Sequence, residues 1–393
     1  VFYAASVSKQ VVAMVALLLN REGKIDLDTD IHTYIPEFQD YGTPLTVRHI
    51  LYHISGIRDY FNLFRLGGRL DGMVITENKI MDLLAKQRAL NFTPGEKWAY
   101  SNSAYFLISQ VVKRVTGENM DDYAQTNIFV PLEMKNTRFQ HNHLRPIRGK
   151  AHGHEKQANG EWLIADSLLD VVGSGGMYTT VEDLIKWDRN FYDNVLGTGQ
   201  DMIDEMQTSG ILNNGEPTEY GLALNLKPYK GLKRINHGGS LTGYRAMLQR
   251  FPDQKLSVAL LCNSSEVNSG GLANSISDVY LSDLYQEEKI KVVEKAKTAA
   301  FVAPDGFDLS QYGGDYYNDE VENTIKVQLS EDGSGILSTA MDDSVWTLNK
   351  MDEFKHPLAP MFINYNRSKN GEVISLTYNG TRVMGLTFVK QLN

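Results

Sequence analysis

A nine-residue apolar run, Val11 to Leu19 (VVAMVALLL), stands near the start of the chain. A helix that is apolar on all sides belongs in the middle of a domain. The run falls well short of the ~20 residues needed to cross a bilayer. A central helix is therefore predicted within Val1–Arg21, stopping near Glu22-Gly23, where glycine is a normal terminator. Lys24–Phe38 reads as a loop with a short amphipathic turn. Thr46–Ile54 (TVRHILYHI) has apolar residues at helical spacing behind a Thr46 cap. Residues 75–89, Ala104–Thr116 before Gly117, and 268–285 read as further helices. Another starts at Thr180-x-x-Asp183 and ends near Phe191.

From Tyr220 to Asn263 the pattern turns strand-like. GLALNL, RINHGG, YRAMLQRF and LSVALLCN are separated by turn residues and predict consecutive antiparallel strands of one sheet. Residues 286–297 (QEEKIKVVEKAK) form a charged, helical-looking connector. Beyond Pro304-Asp305-Gly306 the chain is all β. Runs such as TIKVQLS, MFINYNR, VISLTYN and VMGLTFV alternate between hairpin signals at Asp332-Gly333, Asn370-Gly371 and Asn379-Gly380. About eight strands fit this stretch, which predicts a small antiparallel barrel or sandwich. The expected division is residues 1–285, a linker at 286–304, and residues 305–393.

Composition narrows the function classes. The 393 residues carry a formal net charge of −9 without a Lys/Arg block, which disfavours nucleic acid and anionic membrane surfaces as partners. Cys262 is the only cysteine, so an internal disulfide and a cysteine metal cluster are excluded. No signal-peptide pattern or transmembrane run is visible, so membrane insertion is not expected. An organising helix so close to Val1 leads to the expectation that a leading segment precedes it.

Candidate chemistry gathers at three places. Ser6 and Lys9 open the central helix three residues apart, on one face. A lysine that loses solvent there favours its neutral amine, which can take a proton from the serine and make it a nucleophile. The plainer reading is that Ser6 caps the helix. Tyr100-Ser101-Asn102 lies at a loop–helix junction behind the Pro94-Gly95 turn, where side chains point into a cleft or merely cap the helix. His237-Gly238-Gly239-Ser240 lies in the second strand-like run, and paired glycines in a strand mark a close approach to the backbone. His141, His143, His152 and His154 match no zinc spacing and read as a surface loop; no metal or cofactor is expected. The Gly173–Gly176 stretch lacks a phosphate-loop pattern and reads as tight packing.

Together, Ser6-Val7-Ser8-Lys9, Tyr100-Ser101-Asn102 and His237-Gly238-Gly239 resemble the three active-site elements of the serine β-lactamase and penicillin-binding-protein superfamily. The class C-like branch, with its D-aminopeptidase and esterase relatives, is most similar. LTVRHILYHISGI, PGEKWAYSNSAY, IFVPLEMKNT, GSGGMYTTVEDL and NHGGSLTGYRA resemble the same branch. The resemblance covers roughly residues 1–285. Residues 305–393 resemble the lipocalin-like barrel of some D-aminopeptidase-like members.

The resemblance implies an α/β (α+β) fold: an antiparallel sheet flanked by helices, an all-helical subdomain, then the barrel. It implies that Ser6 forms an acyl-enzyme and that Lys9 and Tyr100 share proton transfer. Asn102 would hold the substrate amide and Lys9, while the strand of His237, Gly238, Gly239 and Ser240 lines the cleft. The N–H groups of Ser6 and Ser240 would form the oxyanion hole. The implied partner is a small-molecule or short-peptide substrate, and the implied location is exported or periplasmic.

Two departures stand out. His237-Gly238-Gly239 stands where such β-lactamases usually carry Lys-Thr-Gly, so a fixed cation gives way to a side chain that titrates near pH 6.5. Short esters and D-amino-acid amides or peptides are then expected, with weak or no β-lactam turnover and poor use of free C-terminal carboxylates. Alternatives are a penicillin-recognising or peptidoglycan-binding protein with little turnover, and a true class C-type β-lactamase. The family also places sheet strands before the serine helix; if they are absent, one sheet edge is expected to be unpaired. A barrel loop reaching over the cleft would limit substrate size.

Overall fold

The computed structural model describes residues 1–70, 72–286, 301, 307–339 and 342–392. The apolar run forms the axis of the first unit. Lys9–Arg21 is a helix, and Val11 through Leu17 and Leu19 are at most 1% exposed. The helix starts later than predicted: Phe2–Tyr3 is a short strand, and Ala5–Ser8 a single 3-10 turn. Ala5 holds φ +47°, which interrupts any helical continuation toward Val1.

Helices Val47–Leu51, Glu77–Ala85, Asn102–Thr116, Val181–Asp193 and Ser269–Leu281 occupy the predicted places. Their caps follow from sequence. Thr46 and His49 form a reciprocal capping box, Ser101 accepts from Ala104 N–H, and Gly117 stops its helix at φ +76°. Tyr60–Leu66 is a short helix that the hydrophobic pattern did not mark.

The sheet has three strands, Ile235–Leu241, Tyr244–Phe251 and Leu256–Cys262, antiparallel and in that spatial order. The fourth expected strand, GLALNL, is a turn instead. Gly221 N–H donates to Leu224 C=O at 2.7 Å, Ala223 sits at φ +56°, and only Asn225 bridges Asn236. Leu222, Ala223 and Leu224 are fully buried. A short apolar run reports burial rather than conformation, which is why the pattern misread it. Among the described residues Leu256–Cys262 pairs on one side only.

Eight strands from Gly314–Asn318 to Leu386–Lys390 close a barrel, the first pairing with the last through Tyr316–Lys390 and Tyr317–Val389. The three Asx-Gly signals all fall at strand connections. Tyr316, Ile325, Trp346, Phe354, Ile363 and Phe388 fill the interior, as expected at eight strands. The charged connector lies almost wholly outside the described residues.

The barrel docks on the loops around the central helix. The buried Arg58 guanidinium meets Glu320 at 2.9 Å and Met384 C=O at 3.1 Å. Asn91 receives Met384 N–H at 2.7 Å and donates to Arg382 C=O at 3.0 Å, while Asp59 N–H donates to Arg382 C=O at 3.1 Å. Val321 and Val383 join the apolar core of the first unit.

Candidate active site

The three sequence motifs converge on one cleft. Ser6 projects from the 3-10 turn, one turn before Lys9 enters the buried helix. Lys9 Nζ lies 3.0 Å from Ser6 Oγ and donates to Asn102 Oδ1 at 2.9 Å and to Ser174 C=O. The Asn102 amide is fixed from its other side. Its Nδ2 donates to Asp59 Oδ2 at 2.8 Å and its backbone N–H to the same oxygen at 2.7 Å, so Oδ1 must face Lys9. Complete burial drives the Lys9 pKa well below the ordinary lysine value, with Asp59 opposing and Arg382 adding to the effect. A neutral amine has two hydrogens and one lone pair. Two of the three neighbours of Lys9 Nζ are carbonyl oxygens that only accept, so in the neutral form the lone pair would face Ser6 Oγ.

Tyr100 closes the other side of the serine. Its hydroxyl hydrogen-bonds Ser6, and burial raises its pKa above the ordinary tyrosine value. Lys9 Nζ stands 5.1 Å from the Tyr100 ring centroid, and the Arg382 guanidinium 4.7 Å from it. Ser101 is the helix cap, as its plainer reading held, while Asn102 turns into the cleft.

The strand Ile235–Leu241 forms the facing wall. A Cβ on Gly239 would lie 2.2 Å from Ala4 C=O, so only glycine lets the turn carrying Ser6 sit flush against this strand. Thr242-Gly243 connects it to its neighbour, which makes Leu241–Tyr244 the hydrogen-bonded pair. The next pair, Ser240–Arg245, is then non-hydrogen-bonded, and Ser240 N–H faces outward. His237 Nδ1 donates to Gly238 C=O at 2.7 Å, so Nε2 accepts from the Tyr220 hydroxyl at 3.0 Å. Burial, with Lys9 adding, pushes the His237 pKa down to about 3. The ring is neutral across the working pH range and both nitrogens are occupied, so it neither carries charge nor titrates near 6.5.

Several residues of the site escaped the sequence reading. Ser174 supplies the carbonyl that receives Lys9, and its Oγ lies 2.6 Å from the Tyr60 hydroxyl. It reaches in because a Cβ on Gly173 or Gly175 would strike Tyr105 C=O or the Tyr3 hydroxyl at 2.5 Å. Asp59 and Arg382 had no local signal at all. The cleft, about 1130 Å³, is also lined by Phe61, Arg65, Met73, Leu241 and Arg245. The loop histidines lie apart. His141, His143 and His152 pair with Asp121, Asp170 and Asp166 respectively, and among the described residues no three His, Cys, Asp or Glu side chains group as metal ligands.

The family model described as Beta-lactamase matches residues 1–278. The chain belongs to the beta-lactamase family. Penicillin-binding protein 4* of Bacillus subtilis (strain 168) is 28% identical over 284 residues, covering 67% of this chain and 61% of that protein. A D-aminopeptidase of Brucella canis is 26% identical over 262 residues, covering 66% of this chain and 49% of that protein. The chain thus spans about half to three-fifths of the length of these relatives. The solved octameric penicillin-binding protein homologue from Pyrococcus abyssi superposes with TM-score 0.64 at 21% identity, covering 99% of this chain and 88% of that one. That superposition supports a shared two-unit fold. No helix among the described residues is long and apolar enough to cross a membrane.

Proposed function

We propose that this chain is a serine hydrolase that cleaves small amides or esters through an acyl-enzyme on Ser6. The observation that carries the proposal is the fully buried Lys9 Nζ, 3.0 Å from Ser6 Oγ and held from its other sides by two carbonyl acceptors, where burial favours the neutral amine. Lys9 takes the serine proton as Oγ bonds to the substrate carbonyl carbon. The N–H groups of Ser6 and Ser240 receive the oxyanion, and losing one such donor typically costs about 2.7–4 kcal/mol. Asn102 holds the substrate amide as well as Lys9. The neutral Tyr100 phenol gives its proton to the departing nitrogen or oxygen, so the C–N or C–O bond breaks without expelling an anion. The tyrosinate left beside the lysine ammonium then takes a proton from water, and the hydroxide attacks the acyl carbon. Ser6 leaves with the Lys9 proton and Tyr100 is already restored, so the cycle closes.

The beta-lactamase family match and the D-aminopeptidase relative agree with amide cleavage. The deciding experiment is incubation with a fluorophosphonate or a fluorescent penicillin, then peptide mass spectrometry, beside hydrolysis of p-nitrophenyl acetate, D-alanyl p-nitroanilide and nitrocefin. Label on Ser6 that Ser6→Ala abolishes, with turnover of an ester or amide, is the expected result. Turnover retained in Ser6→Ala overturns the reading. Stable label without product release would instead fit a penicillin-recognising protein.

A further inference from the structure

The strand Ile235–Leu241 (INHGGSL) brings no Lys or Arg to the cleft wall. The barrel delivers one from elsewhere. Arg382 lies in the loop after Val373–Asn379, and together with Thr381 it lines the same cleft as Ser6, Tyr100 and Ser240. Its main chain is clamped by Asp59 N–H and Asn91 Nδ2, and Val383 beside it is fully buried. The side chain is half-buried and lies over the Tyr100 ring at 4.7 Å. Among the described residues no carboxylate pairs with its guanidinium. The other cationic linings are placed differently. Arg245 is turned onto the carbonyls of Thr242 and Tyr244, and Arg65 is exposed to solvent. Asp166, an acidic lining residue, is already bound to Lys150 and His152.

A guanidinium stacked on an aromatic face keeps its planar fork of N–H donors free, and a carboxylate matches that fork with two parallel hydrogen bonds. The ring it covers belongs to the residue that protonates the leaving group. We propose that Arg382 is a specificity residue that binds a carboxylate carried by the leaving group, so the preferred substrates are acyl donors whose departing amine, alcohol or thiol bears an acid. This rests on the serine-hydrolase reading and deepens it. It also reverses the sequence-based expectation of poor carboxylate use, because the cation arrives from the barrel rather than from the strand.

The test compares an N-acylglycyl thioglycolate thioester with its primary amide, which lacks only the leaving-group carboxylate. Wild type is expected to prefer the acid in kcat/KM. In Arg382→Ala and Arg382→Met the acid-to-amide ratio should fall by about 10- to 100-fold, the range of a charge-assisted hydrogen bond, mostly through KM. Arg382→Lys should restore part of it. A ratio that is the same in wild type and Arg382→Ala overturns the inference, as does one that moves with Arg65→Ala or Arg245→Ala instead. Those results leave Ser6 labelling and amide turnover intact. Failure of the hydrolase reading differs, because neither thioester would then turn over and Ser6 would take no label.

Discussion

In the proposed mechanism, Lys9 and Tyr100 set the protonation state in which the site works. Lys9 must be neutral to accept the serine proton, so kcat/KM should rise with pH as the ammonium dissociates. Burial lowers that pKa, which places the rising limb below the pH at which an exposed lysine would lose its proton. Tyr100 must keep its proton, and burial raises its pKa, so the falling limb should lie above the ordinary tyrosine range. Asp59 favours the charged lysine, so Asp59→Asn should move the rising limb to lower pH; a shift upward in the acylation pH profile would contradict the assignment. On the same proposal, Tyr100→Phe removes the proton donor to the leaving group and should lower kcat by about 10²–10⁴-fold, checked by steady-state kinetics on an amide. His237 is held neutral with a pKa of about 3. Activity should therefore show no inflection near pH 6.5 that His237→Gln removes.

At the level of elements, the site depends on backbone meeting backbone. Gly239→Ala places a Cβ 2.2 Å from Ala4 C=O, so the strand and the serine turn must part. The expected stability cost is about 1–3 kcal/mol by urea denaturation, with a larger relative loss in Ser6 labelling rate. This approach was legible in sequence, since two glycines in a strand announce a close neighbour. The central helix, the capped helices and the hairpin-rich barrel were legible for similar reasons, because periodicity and turn chemistry act locally. Lys9, Tyr100 and Asn102 could be named from motif types, but not the Ser174 carbonyl, which acts through backbone that any residue possesses. Asp59 and Arg382 reach the site by tertiary placement 43 and 282 residues from Asn102 and Tyr100, and no local pattern encodes such distances. GLALNL failed because burial of a turn and burial of a strand leave the same apolar signature.

Across the whole molecule, the barrel is joined to the first unit by a buried ion pair. Arg58 is 2% and Glu320 10% exposed at their side chains. Glu320→Ala strands the guanidinium in the interface and should cost about 3–5 kcal/mol by urea denaturation, whereas Arg58→Met with Glu320→Leu should recover most of it. Removing residues 305–393 strips away Glu320, Val321 and Arg382 together, so the truncated chain should change its substrate profile as well as its stability; a profile identical to the full chain would assign the barrel no part in the cleft. The dual use of Asp59 has a temporal consequence. Its carboxylate orients Asn102 while its main-chain N–H waits for the carbonyl of residue 382. On the ribosome Asp59 emerges 323 residues ahead of Arg382, whose carbonyl is that second partner. Nascent chains should therefore brace Asp59 and the Asn102 it orients only after residue 382 has left the exit tunnel.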